Sequence, residues 1–156
     1  RRLGARVALG DFLTSEQKAE YIRTRLVPGR IVHAVLNLNS GPKPKFLLVA
    51  HVGIETRGLV INSVINNFKQ SRPHLCECQV VIDRASHPFL EHDSFVDCSQ
   101  SHYEDTNTLR EQLLRDVTGI KDAVSVEVRG RIVQAVRTSF VLEKTEKQKL
   151  LDALSP

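Results

Sequence analysis

IVHAVLNLNSGPKPKFLLVAHV, residues 31–52, is the stretch on which the reading of this chain turns. Ile31 to Leu38 and Phe46 to Val52 are rich in β-branched and aliphatic residues and read as strands. Between them lies Asn39-Ser40-Gly41-Pro42-Lys43-Pro44-Lys45, whose glycine and prolines suit a loop, because proline cannot donate to a ladder. The two strands and their loop predict a hairpin. Upstream, Thr14-Ser15-Glu16-Gln17 has the form of a capping box, in which the Thr14 hydroxyl and the Gln17 side chain satisfy free amides. It predicts a helix running to about Leu26, with Ala19, Ile22 and Leu26 at helical spacing and Pro28-Gly29 ending it. Downstream, Thr56-Arg57-Gly58 reads as a turn before a third strand, Leu59 to Ile65. Asn66 to Leu75 is too broken for a strand and reads as a loop or a short turn of helix. Cys78 to Asp83 and Ser94 to Cys98 complete five strands.

The pattern then becomes helical. Leu109, Leu113, Leu114 and Val117 share a face that Gly119 would cap, and Ser125 can start a second helix that buries Val128, Ile132, Val133 and Val136. Thr145-Glu146-Lys147-Gln148 reads as another capping box, opening a final helix with Leu150, Leu151 and Leu154. Strands followed by helices predict an α+β domain and not alternating βαβ units. So few short strands are expected to curl into a small, strongly bent antiparallel barrel, with helices over its open side and edges. The expected organisation is a single domain over 1–156. It has a helical extension at 1–27, a β-barrel at 28–100 with a loop insertion at 66–92, and C-terminal helices at 101–156.

A chain of 156 residues can bury enough surface to need neither metal nor disulfide, and no cofactor is expected. The net charge of +4 suits a polyanionic partner, or simply a solvated basic surface. Only 5% of residues are aromatic and none is Trp, which speaks against a base-stacking platform. Cys76, Cys78 and Cys98 are odd in number, so a disulfide framework is not expected and a reducing, cytoplasmic setting is. No apolar run approaches the ~20 residues of a membrane span, and Arg1-Arg2 opens no recognisable signal peptide. Methionine is absent altogether, the initiator included, so either the start is trimmed or methionines are not represented in the sequence.

Three constellations could carry chemistry. Arg30, Lys43, Lys45 and Arg57 surround the hairpin and could neutralise phosphates, or could discourage pairing at an exposed edge. His87-Pro88-Phe89-Leu90-Glu91-His92-Asp93, with Asp97 and His102, could shuttle protons. Its spacing with the cysteines matches no zinc signature, so no metal is expected, and hydrogen bonding within a loop is the commoner use. Asn62-Ser63 and Asn66-Asn67, at a strand end, could grip a phosphate or a ribose hydroxyl, or satisfy the loop backbone. No Ser-His-Asp order, P-loop, dinucleotide fingerprint or His-Glu-x-x-His occurs.

In their order these segments resemble the MazF/PemK family of toxin endoribonucleases. Pro28-Gly29-Arg30-Ile31-Val32 is similar to the family's opening Gly-Asp-Ile-Val strand, and Lys45-Phe46-Leu47-Leu48-Val49 stands where Arg-Pro-Ala-Leu-Val is common. Gly58-Leu59-Val60-Ile61-Asn62-Ser63 corresponds to an apolar strand ending in a Thr-Ser-like pair. Asp93-Ser94-Phe95-Val96-Asp97-Cys98-Ser99-Gln100 is similar to a later strand ending in Gln, and two helices follow. The resemblance covers about residues 28–142. It implies an SH3-like barrel, a homodimer, an antitoxin partner and metal-independent cleavage of single-stranded RNA, with the ribose 2′-hydroxyl as nucleophile. It further implies Lys45 in the place of the family's arginine, Ser63 near its threonine, and Gln100 holding the strand. Lysine is a point charge without the guanidinium fork. Ser101-His102-Tyr103 replaces the family's basic residues, and the N-terminal helix and residues 66–92 are additional. The expected catalytic residues are Lys45, Ser63 and His51, with His102 the other histidine that could move the proton. Those expected to bind RNA are Arg30, Lys43, Lys45, Arg57 and Asn62. The alternative is a small-barrel module without chemistry that holds a protein or nucleic-acid partner.

Overall fold

The computed structural model describes residues 12–156. Helix α1 (Ser15–Arg25) starts at the expected capping box. Gln17 N–H donates to Thr14 Oγ1 at 3.1 Å, and Thr14 N–H donates to Gln17 Oε1 at 2.9 Å. Gly29, at φ +90°, then turns the chain into β1 (Arg30–Leu38) in a conformation that side chains resist.

β1 pairs antiparallel with β2 (Gly41–Val52) from Leu38↔Gly41 to Ile31↔Leu48. The strand therefore runs through Pro42 and Pro44, which the sequence assigns to a loop. The direction of the backbone groups explains this. Val35 N–H donates to Gln112 Oε1 at 2.9 Å, and Val35 C=O accepts from Gln112 Nε2 at 3.1 Å. Asn37 N–H donates to Glu104 at 3.0 Å. Both residues direct these groups away from β2. Their partners Pro44 and Pro42 thus occupy non-hydrogen-bonded sites, where a missing N–H costs no ladder bond.

β3 (Glu55–Asn62) likewise contains Thr56-Arg57-Gly58, and the turn falls earlier, at Gly53-Ile54. Gly58 answers a packing need: a Cβ there would lie 2.5 Å from the Leu48 carbonyl oxygen and 2.8 Å from Leu47 Cδ1. The β2–β3 register shifts between Val49 and His51, a bulge at Ala50 that bends β2. Two short helices, α2 (Asn67–Gln70) and α3 (Pro73–Cys76), precede β4 (Gln79–Ile82). β4 pairs with β5 (Ser94–Asp97), which pairs with the end of β3 at Ile61 and Asn62.

Residues 101–156 are not helices alone. β6 (His102–Asp105) pairs with the start of β3, and β7 (Ile120–Ala123) closes the edge beyond β1. His-Tyr-Glu-Asp lacks the apolar character of a strand, and only the free edge of β3 makes it one. The sheet is seven-stranded, in the order β4-β5-β3-β2-β1-β7 with β6 also on β3: a strongly curled antiparallel half-barrel. Helix α4 (Thr106–Arg115) is capped by Asp105, and Gly119, expected at a helix end, closes a 3-10 turn (Val117–Gly119) instead. α5 (Val126–Thr138) is capped by Ser125 and buries the four expected apolar residues. α6 (Lys144–Leu154) departs from expectation: its cap is Glu143, without a side-chain bond, and Thr145 lies within the first turn.

Leu47, Leu48, Val49 and Ala50 are all buried because both faces of β2 are covered. Leu48 joins Leu59, Ile61 and Val96 beneath α5 and α6, while Leu47 and Val49 join Val32 and Leu36 beneath α1 and α4. The ends of β2 and β3 that project past these cores carry the polar residues of the site. No helix among the described residues is long and apolar enough to cross a membrane.

Candidate functional site

β5 and β6 both pair with one edge of β3, at opposite ends of it, so residues 98–101 must arch away between them. Beneath that arch lies a groove of about 520 Å³, lined by Lys45, Val60, Asn62, Ser63, Gln100 and His102 among others. Lys45 Nζ donates to Asn62 Oδ1 at 3.1 Å, which holds the ammonium at the end of β3 beside Ser63. Ser63 and Lys45 also line a second depression on the other side of the sheet's end, so both stand on the ridge between the two.

One wall of the groove is Asp97, 3% exposed. It accepts from Gln79 Nε2 at 2.9 Å, from Ser99 N–H at 3.0 Å, from the Ser99 hydroxyl, and from the Lys69 ammonium. Burial alone would raise its pKa. The donors from Lys69, Ser99 and Gln79 outweigh burial and hold the carboxyl below its ordinary value. Lys69 is thereby occupied, and Lys45 is the groove's lysine without a carboxylate partner among the described residues.

The opposite wall carries His102. Its Nε2 bonds Glu104 Oε2, and Glu104, 4% exposed, also accepts from Asn37 N–H at 3.0 Å and Asn37 Nδ2 at 3.3 Å. The alternation of β6 puts positions 102 and 104 on one face, so the buried carboxyl orients the ring at the groove's side. With Nε2 engaged, Nδ1 is the nitrogen left to exchange a proton.

The structure brings Lys45, Asn62, Ser63, Asn66, Asp97, Gln100 and His102 to one groove, and Lys43, Arg30, Arg57 and His51 lie elsewhere. Lys43 is exposed on the hairpin. Arg30 lines a separate cleft beside α1. Arg57 donates to the Tyr103 hydroxyl at 3.1 Å and pairs with Glu146 at 3.3 Å, so its charge is spent internally. His51 is exposed past the bulge, opposite Arg57, and does not line the groove. Glu104, Asn37 and Lys69 were not singled out from sequence; Asp97 was, as a possible proton shuttle, and it is instead held by Lys69, Ser99 and Gln79. The His-x-Glu alternation at 102–104 was the available signal for Glu104.

The buried thiols of Cys78 and Cys98 are poor nucleophiles. Burial pushes Cys78 up, and burial followed by the charge of Asp97 pushes Cys98 up further. Among the described residues no group of three His, Cys, Asp or Glu side chains converges as a metal site. No protein-family model matches this chain, and no curated protein matches its sequence.

Proposed function

We propose that this protein is a MazF/PemK-like endoribonuclease, the toxin component of a toxin–antitoxin pair, cutting single-stranded RNA without a metal. The observation that carries this reading is the Lys45 ammonium, without a carboxylate partner among the described residues and held by Asn62 at 3.1 Å beside Ser63 in an open polar groove that His102 also lines. These are the groups that transesterification within RNA needs. The 2′-oxygen attacks phosphorus as its proton passes to His102 Nδ1, and the P–O5′ bond breaks. A 2′,3′-cyclic phosphate and a 5′-hydroxyl end result, the departing 5′-oxygen taking a proton from the medium. Lys45 neutralises the phosphorane charge, and the Ser63 hydroxyl holds a phosphate oxygen or the ribose. The same reading makes the half-barrel an SH3-like barrel in a cytoplasmic homodimer that an antitoxin neutralises.

The test is incubation of purified protein with long mixed-sequence RNA in EDTA. Wild-type protein is expected to cut it, and Lys45→Ala to be slower by about 10²–10³-fold. RNA left intact by both proteins removes the catalytic reading. The rival, a binding module without chemistry, is favoured by one observation: position 45 offers an ammonium already bonded to Asn62 where the family has a fork. Steep loss of RNA affinity between low and moderate salt, without cleavage, would select it.

A further inference from the structure

The groove beneath the arch does not end at the ridge. Lys45 and Ser63 also line the second depression, of about 430 Å³, together with His33, Phe46, Phe89 and Lys121. Phe89 and Lys121 in turn line a third, of about 520 Å³, with Tyr21, Arg25 and Arg30. Each hollow thus shares two side chains with the next, and the three form one path over the sheet's end to the N-terminus of β1.

Its chemistry is consistent along the length. The middle has a ring floor: His33 and Phe46 have centroids 4.7 Å apart, and Phe46 and Phe89 5.5 Å. Burial, then the neighbouring Lys121 charge, holds His33 below the ordinary histidine value, so that ring favours its neutral form. Aromatic residues are few in this chain, and Phe46, Phe89 and Tyr21 are the ones that line this path. At the far end Arg30 Nε is buried without a hydrogen-bond partner among the described residues. Its guanidinium otherwise reaches only the Lys121 carbonyl, at 3.5 Å. Arg25 lies over the Tyr21 ring, 3.9 Å from its centroid. Apart from the Lys69–Asp97 pair, Lys45, Lys121, Arg30 and Arg25 stand along the path against Glu91 and Asp122.

We infer that this path is an extended single-strand track, in which Lys121 and Arg30 hold phosphates several nucleotides from the Lys45–Ser63 site and the His33–Phe46–Phe89 floor receives intervening bases. The inference rests on the ribonuclease reading and adds to it a footprint with a fixed direction. Unpaired cations supply the affinity for phosphate, and ring faces accept any base.

The experiment measures binding of 2′-O-methyl oligonucleotides, which lack the nucleophile, at lengths of about 3 and about 12 nucleotides. The longer probe is expected to bind wild type more tightly. Lys121→Ala and Arg30→Ala are each expected to cut that length advantage several-fold and to reduce the salt slope by about 0.7. Lys149→Ala, the same charge loss on exposed α6, is the control and should change neither. Because Arg30 is partly buried, Lys121→Ala and Arg25→Ala decide the matter if Arg30→Ala fails to fold. A length advantage that survives in every folded variant overturns the track, even if wild type cuts RNA. Absence of both binding and cleavage by wild type overturns the ribonuclease reading, and the track falls with it.

Discussion

His87 and His102 both sit near acidic residues in sequence, and the fold gives them opposite fates. His87 is 1% exposed: Ser125 N–H donates to its Nε2 at 3.0 Å, and its Nδ1 lies 2.8 Å from the Asp83 carbonyl. That pattern requires the Nδ1–H tautomer and uses both nitrogens on backbone, tying the loop before β5 to the start of α5. His102 spends one nitrogen on Glu104 and stands at the wall of a groove with the other. Proton transfer needs a ring nitrogen with nothing better to do, and of these two only His102 has one. A histidine's neighbours in the chain say little about this; its neighbours in space decide it.

The comparison can be broken from either side. The largest expected effect is on chemistry: His102→Gln should slow RNA cleavage by about 10²-fold or more, with the melting temperature within about 2 °C of wild type. A variant that cleaves normally would place the proton elsewhere. His87→Ala should do the reverse. It empties a buried site and strands two backbone groups, costing about 2–4 kcal/mol in urea unfolding while the folded fraction keeps its cleavage rate.

Asp97 sharpens the contrast, because it stands in the groove yet its bonds all serve the fold. Asp97→Asn should cost about 1.5–3 kcal/mol at neutral pH. Its carboxyl is held below the ordinary aspartate value, so the folded state binds its proton less readily than the unfolded chain. The wild-type advantage is therefore complete above the ordinary carboxylate range and lost as pH falls through the lower folded value. An advantage that persists unchanged to pH 2 would show that the charge of Asp97 contributes nothing. The smallest effect is at Pro44. Replacing it with Ala should cost less than about 1 kcal/mol, through unfolded-chain entropy alone, since no ladder bond changes hands. A larger loss by chemical denaturation would refute the non-hydrogen-bonded placement.

The sequence was most legible where the deciding interactions are local. The Thr14–Gln17 box and the Ser125 cap are bonds between residues three apart, and they were found as expected. Periodicity located β1, and with it the helix that buries Val128, Ile132, Val133 and Val136. The same local logic misled at Pro42, Pro44 and Gly58, where residues typical of turns lie inside strands for reasons of bond direction and close packing. Thr145 offered the right motif one step inside a helix that starts at Lys144 and is capped by Glu143. β6 was invisible, because its four polar residues become a strand only against the edge of β3.

Lys45, Asn62 and Ser63 were legible as candidates because they flank strand ends. That they meet is a matter of the β2–β3 pairing, which brings Lys45 to an Asn62 seventeen residues away. The bond between Asn37 and Glu104 spans 67 residues, and nothing in either segment announces the other. On its own, the order of residues determined an α+β chain of short strands and capped helices, since caps and periodicity act over a turn or two. Which strands share an edge, where the arch opens and which histidine keeps a free nitrogen were decided by tertiary structure, because those contacts form only when distant segments compete for the same backbone edge.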